Sequence, residues 1–331
     1  ATVCNSGTSA IFLALGGIDL KKNDVVVMPA VNFIASYNIS KFYEAKIYLA
    51  DVDKITGQMT PQNVIDCCKK FKINKIKAII TMHHGGYPIN TYSFFKLKKK
   101  FGCYIIEDSC HALGATYQSK EKKIKIGSCN HADISTFSLH PLKTITTGEG
   151  GIVTTNSKII NNKLKMMRSH GITRKKNHWE YDVKTHGLNL RLNDFQCSLG
   201  ISQLKKINKF ILKRKKISNL YDKYLKESND IRLIEYSKKI KPSYHLYIIH
   251  LNNGSVSLKN KFIKFMLKKK IYIQYHYIPI YKFTICNEKE EYKNSEKYYN
   301  TALSLPIHYG LTKIEQMYVI KNIFKFFKSK N

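Results

Sequence analysis

The chain has 331 residues, 43% hydrophobic and 24% charged, which excludes a disordered or low-complexity polypeptide and supplies enough apolar surface for two packed domains. Its formal net charge is +33, yet only five basic residues are arginine (Arg168, Arg174, Arg191, Arg214 and Arg232), and base readout and bidentate phosphate clamping favour the arginine fork. Lysines run through the whole sequence, so the charge reads as a solvated surface that draws anionic small molecules toward a cleft, and nucleic acid is not expected as a partner.

Asn5-Ser6-Gly7-Thr8-Ser9 is a small polar turn opening an apolar helix over 8–15. Such a start offers unpaired N–H groups and the positive end of the helix dipole to a phosphate, although an ordinary N-cap would account for it equally. Short apolar runs follow at 25–28, 47–50, 78–82, 104–107, 134–138 and 151–155. Most are continuous rather than alternating, as strands buried on both faces require. Helices over 63–70 and 91–101 fall between them, so the expected fold is α/β with a mainly parallel sheet.

Sheets of that kind gather ligands at the carboxyl ends of their strands. The run Ile105-Ile106-Glu107-Asp108-Ser109-Cys110-His111 ends a strand in a carboxylate, with a histidine three residues on. An aspartate there can hold a pyridine nitrogen protonated, or merely cap a helix. In Phe137-Ser138-Leu139-His140-Pro141-Leu142-Lys143, a lysine stands on a strand-to-loop turn beside a hydroxyl and before the Gly-rich bend 146–151. A desolvated lysine in such a place can lose its proton and form a Schiff base, whereas most lysines are solvated surface. Gly187-Leu188-Asn189-Leu190-Arg191-Leu192-Asn193-Asp194 then precedes a helix, so its polar groups either face a ligand or cap.

Beyond Asp194 the pattern changes. Residues 194–226 read as long lysine-rich helix, 244–251 and 271–277 as β-prone runs, and 312–328 as a final helix with Ile314, Met317, Tyr318 and Phe324 near one face. The expected division is a large α/β domain over 1–203 and a smaller α+β domain over 204–331. The eight cysteines lack CxxC spacing and nearby histidines in zinc-site order, which points to small core residues in a reducing cytoplasm, with no metal. No run approaches the roughly 20 apolar residues of a membrane span, and no secretory signal opens the sequence.

In order, the blocks NSGTSA, PAVNFIAS, IIEDSCHALGA, FSLHPLKTITTGEGG, RSHGI and GLNLRLNDFQCSLGISQLKK resemble the sugar aminotransferases of the DegT family, from residue 1 to about 206 and more loosely beyond. The resemblance implies an aspartate-aminotransferase-like fold (fold type I), pyridoxal 5'-phosphate (PLP) as cofactor and a nucleotide-linked keto sugar as substrate. It places Lys143 as the lysine that bonds the cofactor and shuttles the proton, and Asp108 as the partner of the pyridinium nitrogen. His111 stands where the family has Gln or His near the phenolic oxygen, and Phe33 matches the aromatic residue stacked on the ring. Thr8, Ser9 and Ser138 match phosphate ligands, and Asn189 resembles a residue lent to that phosphate by a neighbouring subunit, implying a homodimer with shared active sites. Related sugar dehydratases carry His at the lysine position, so Lys143 implies transamination. The family pattern begins before the NSGT turn, so a segment upstream of Ala1 is expected.

Tyr244-His245-Leu246-Tyr247, the phrase QYHYIPIY at 274–281 and Leu303-Ser304-Leu305-Pro306-Ile307-His308 resemble the branch that makes a 4-amino sugar on the way to pseudaminic acid. That branch implies a UDP-linked 4-keto-6-deoxy-N-acetylhexosamine as acceptor and glutamate as donor. Enzymes acting on other keto sugars share parts of the phrase, so a 3-amino product or a dTDP or GDP carrier stays open. Tyr272, Tyr275, Tyr277 and Tyr281 read equally well as core of the smaller domain.

Overall fold

The computed structural model describes residues 1–177, 179–252, 254–286 and 290–328. Strand and helix alternate from the start: β1 (Thr2–Cys4), α1 (Gly7–Gly17), β2 (Val25–Pro29), α2 (Ala35–Phe42), β3 (Lys46–Ala50), α3 (Pro61–Lys70), β4 (Ala78–Met82), α4 (Thr91–Phe101) and β5 (Tyr104–Asp108). A hairpin of β6 (Thr116–Ser119) and β7 (Lys122–Lys125) precedes β8 (Ile134–Ser138), β9 (Gly151–Thr154) and α5 (Lys158–Met167). Local chemistry sets these boundaries. At α3, for example, Thr60 and Asn63 form a reciprocal capping box with Pro61 in the first turn.

Seven strands form one sheet in the order β1-β9-β8-β5-β4-β2-β3. The block β8-β5-β4-β2-β3 is parallel, and β9 runs antiparallel to both β8 and β1. The mainly parallel sheet expected from the apolar runs is therefore present, with 151–155 as its antiparallel member. Alternate residues of one strand enter different cores. Val26, Met28, Ile80 and Ile106 pack with Leu13 of α1 and Leu164 of α5, whereas Val27, Ile79 and Ile105 pack with Val64 of α3 and Phe94 of α4. With both faces covered, nothing selects for polar alternation. All eight cysteines are free thiols, and Cys4, Cys67, Cys68, Cys103, Cys129 and Cys286 are buried.

An exposed hairpin, β10 (Ile172–Arg174) and β11 (Tyr181–Val183), leads to α6 (Asp194–Lys205) and α7 (Ile207–Leu225). The long helical material expected over 194–226 is present as two helices that meet at Lys206. Then come β12 (Ile231–Leu233), β13 (Ile240–Lys241), β14 (Tyr247–Leu251), α8 (Val256–Lys268), α9 (Lys293–Thr301), β15 (Ala302–Leu305) and α10 (Lys313–Lys328). The antiparallel sheet β12-β14-β15 builds a second core with Tyr221 of α7, Phe262 of α8 and Ile323 of α10. A smaller cluster of Val31, Val52, Leu246, Ile248 and Tyr298 joins this part to the ends of β2 and β3. Among the described residues no helix is long and apolar enough to cross a membrane.

Two expectations need correction. Residues 271–277 form no strand, only an isolated bridge between Gln274 and Ser304; the His276 carbonyl accepts the Tyr298 hydroxyl instead of a strand partner, and Tyr277 reaches His111. On α10, Ile314 and Tyr318 are exposed, and the buried face is Val319, Ile320, Ile323, Phe326 and Phe327, with Met317 and Phe324 at its edge.

Candidate active site

Because β2, β4, β5 and β8 are parallel, the segments that follow them leave from one edge of the sheet. β1 runs antiparallel to β9, which brings the start of α1 to that edge too. Asp108 closes β5 in register with Met82 and Thr136. It is 3% exposed, accepts the Cys110 N–H at 3.1 Å and has no ion-pair partner among the described residues. Glu107 projects to the opposite side of the strand, where its carboxylate takes the Ser135 hydroxyl at 2.6 Å and lies 3.2 Å from His83 Nε2. Of this acidic pair, Asp108 is left for the cleft.

Lys143 follows β8 on a turn whose N–H donates to the His140 carbonyl at 2.9 Å, and it is half-buried with no ion-pair partner among the described residues. Its charge is felt across the cleft. Burial, then Lys143, holds His111 and His245 well below the usual histidine range and His276 down to about 4. Burial raises the Cys110 thiol, Asp108 raises it further and Lys143 opposes the rise, so this one thiol senses both charges.

At the start of α1, Ser6 caps the helix by accepting the Ser9 N–H at 3.0 Å, and Ser9 Oγ donates to Asn5 Oδ1 at 2.6 Å. The cap reading and the phosphate reading therefore both keep a footing. Ser9's hydroxyl is engaged in the cap, whereas Thr8 is exposed, and the Gly7 and Thr8 N–H groups lie where a helix supplies no partner of its own. Gly7 lets Ser138 approach, since a Cβ there would stand 2.7 Å from Ser138 Cβ. Ser138 Oγ itself accepts the His140 N–H at 3.3 Å.

His111 Nδ1 accepts the Gly85 N–H at 3.3 Å, its Nε2 lies 2.9 Å from Tyr277 Oη, and its ring stands 4.2 Å from that of His245. Phe33 is 50% exposed, with its ring 5.8 Å from that of Tyr277. Tyr277 therefore belongs to the site. Tyr272 is exposed, and Tyr275 and Tyr281 pack against Tyr299 and Tyr292. His84, His245 and His276 also reach this cluster. Their only signal in the sequence is position, immediately after the β4 run or inside the two C-terminal phrases. Asn189 is exposed beside Leu190, whose carbonyl accepts the Asn5 N–H at 2.9 Å, so the segment borders the α1 turn.

Several buried polar atoms around these residues lack a hydrogen-bond partner among the described residues: both amide atoms of Asn32, Ser109 Oγ, Thr144 Oγ1, and Nδ1 of His84 and of His245. Leaving such atoms unpaired is costly, about 1–3 kcal/mol each. Together with a buried carboxylate lacking a cation and a half-exposed aromatic face, they fit a polar aromatic guest that brings a positively charged N–H and a phosphate.

Residues 1–324 match the DegT/DnrJ/EryC1/StrS aminotransferase family. The chain belongs to that family. It is 34% identical over 327 residues to the UDP-4-amino-4,6-dideoxy-N-acetyl-beta-L-altrosamine transaminase of Campylobacter jejuni subsp. jejuni serotype O:23/36 (strain 81-176), covering 98% of this chain and 84% of that one. Among solved structures it resembles Helicobacter pylori PseC, an aminotransferase of pseudaminic acid biosynthesis, with a TM-score of 0.90 and 31% identity over 99% of this chain and 86% of the other. It also resembles the PLP form of the putative sugar aminotransferase Spr1654 of Streptococcus pneumoniae, with a TM-score of 0.85 and 26% identity over 97% and 85% of the two chains. The aminotransferases of the DegT family use PLP, and the fold of this chain is theirs, fold type I. The chain is thus an aminotransferase of nucleotide sugars.

Proposed function

We propose that this DegT-family chain moves an amino group from glutamate to the 4-keto carbon of a UDP-linked 6-deoxy-N-acetylhexosamine, with PLP in the cleft between Lys143 and Asp108. The observation that carries the reading is the meeting, at one sheet edge, of a half-buried lysine with a buried carboxylate that has no counter-ion among the described residues. The relatives named for the altrosamine product support the choice of sugar.

When bound, PLP supplies an aldehyde and an electron-withdrawing ring that takes up charge from the substrate carbon. In this reading Lys143 Nζ would hold the aldehyde end of the cofactor, and its amine would move the proton of the substrate carbon. Asp108 holds the proton on the ring nitrogen, as a buried carboxylate without a cation is suited to do. Phe33 covers one face of the ring. The α1 amides, Thr8 and Ser138 receive the phosphate, with Ser9 orienting the turn through Asn5. The partner subunit's Asn189 completes the phosphate site.

A homodimer is part of this proposal. α6 has no buried residue, and Phe195 is 89% exposed. Gln196 at its start donates to the Glu149 carbonyl at 3.0 Å, in the Gly-rich bend that follows Lys143, so a second copy covering α6 would sit beside the site. The reading also divides the chain into a large PLP-binding domain over 1–203 and a smaller domain over 204–331. It places the chain in the cytoplasm, in keeping with eight free cysteines.

The test is to offer the purified protein UDP-, dTDP- and GDP-linked keto sugars with glutamate and to identify the aminated product. A UDP-linked 4-amino product is expected, and Lys143→Ala is expected to abolish turnover. A product aminated at carbon 3, or made only from another carrier, would overturn the branch. Full activity in Lys143→Ala would overturn the mechanism.

A further inference from the structure

The hydrogen bonds of His111 fix where its proton lies. Burial, then the charge of Lys143, keeps the imidazole neutral, and a neutral imidazole carries one N–H. The Gly85 N–H points at Nδ1, which must therefore be the acceptor, so the hydrogen sits on Nε2. Tyr277 Oη, 2.9 Å away, then accepts from His111 and keeps its own hydrogen. That hydrogen has no other acceptor among the described residues. The phenol also stays protonated, because burial, then Asp108 and Cys110, raises it well above the usual tyrosine range.

The backbone before Tyr277 is pinned as well. The His276 carbonyl accepts the Tyr298 hydroxyl at 3.0 Å, and His276 Nδ1 lies 2.9 Å from Ser304 Oγ. The Tyr277 ring stands 5.8 Å from both the half-exposed Phe33 ring and the His84 ring, so it lines the cleft that holds Lys143 and Asp108.

We propose that Gly85 and His111 lock Tyr277 as a hydrogen-bond donor aimed at a lone-pair oxygen of the guest in this cleft, either the phenolic oxygen of PLP or an oxygen of the substrate. His111 is then a positioning residue that acts through Tyr277. The proposal rests on the aminotransferase reading for the identity of the guest, but the lock itself is a property of the chain alone.

Two measurements test it. In 15N-histidine-labelled protein at pH 7.5, with the His111 signal identified by its loss in His111→Gln, the ring is expected as the Nε2–H tautomer. An Nδ1–H tautomer or a charged ring overturns the lock, whether or not the protein is an aminotransferase. In Tyr277→Phe, checked for folding by thermal melting, the visible band of bound PLP is titrated with pH and KM is measured separately for glutamate and keto sugar. A displaced titration identifies the PLP oxygen as the acceptor. An unmoved band with one KM raised about tenfold, and kcat changed less, identifies that substrate. A folded variant in which none of these moves overturns the proposal. If the wild type binds no PLP, the functional reading fails and the tautomer measurement still decides the lock.

Discussion

Asp108 brings a carboxylate into a place where, among the described residues, the Cys110 N–H and thiol meet it and no cation does, and a buried carboxylate so poorly matched favours any guest that carries a cationic N–H. Asp108→Asn keeps the shape and removes the charge. Without cofactor this variant is expected to melt no lower than the wild type, because an unpaired buried charge has been removed. Its affinity for PLP should fall about 10- to 100-fold, the worth of a charge-assisted hydrogen bond, as measured by absorbance titration. Unchanged affinity would mean that Asp108 does not meet the ring. The placement of Asp108 at the end of an apolar strand and of Lys143 on the turn after one was legible in the sequence, because strand ends are local information. Tyr277 was not, since its partner His111 lies 166 residues away and its phrase packs a core as plausibly as it lines a site. Ser9 was legible as a helix start, but two hydroxyls and an amide compete for the same turn, and only geometry assigns Ser9 to Asn5 and Ser6.

The elements read correctly are those with continuous burial, the strands and helices of the main sheet. The misread ones have mixed surroundings. In α10 two apolar stripes compete, and only the second core selects Val319, Ile320 and Ile323 over Ile314 and Tyr318. The helical material expected over 194–226 is there, but it divides at Lys206 and α6 is left without a buried residue. A helix that exposes Phe195, Leu199, Ile201 and Leu204 and buries nothing in its own chain carries information about a second chain. Phe195→Glu on α6 is accordingly expected to weaken self-association at least about 10-fold, from the lost burial of one large side chain and the cost of desolvating a carboxylate. Sedimentation across a concentration series would read this, with circular dichroism to confirm folding. An unchanged association constant would remove α6 from the interface.

At the scale of the whole molecule, the chain buries a set of histidines in neutral form. Burial holds His84 down to about 3 and His250 and His276 to about 4, while His111 and His245 lie well below the usual range. Nothing in the sequence announces this, because depressed values come from packing that joins distant segments. His250, for instance, touches the Ile55 carbonyl and Thr301 Oγ1, each at 2.7 Å. The sign of the consequence follows from proton linkage. Unfolded histidines take up a proton as pH falls through about 6.5, whereas folded His84, His250 and His276 do so only near 4 or below, so over that interval the unfolded state binds more protons and folding stability drops as pH drops. At pH 5.5 the loss is about 1 kcal/mol for each such histidine, several kcal/mol together against a typical total of about 5–15. The melting temperature is therefore expected to fall markedly between pH 7.5 and pH 5.5 at constant ionic strength. His250→Gln, which keeps a hydrogen-bonding side chain near Ile55 and Thr301, should lower stability at pH 7.5 but make it less dependent on pH by about one proton. A melting temperature that stays level across this range would mean that the histidines already share protons with groups in the folded chain, and the picture of histidines kept neutral by burial would fall with it.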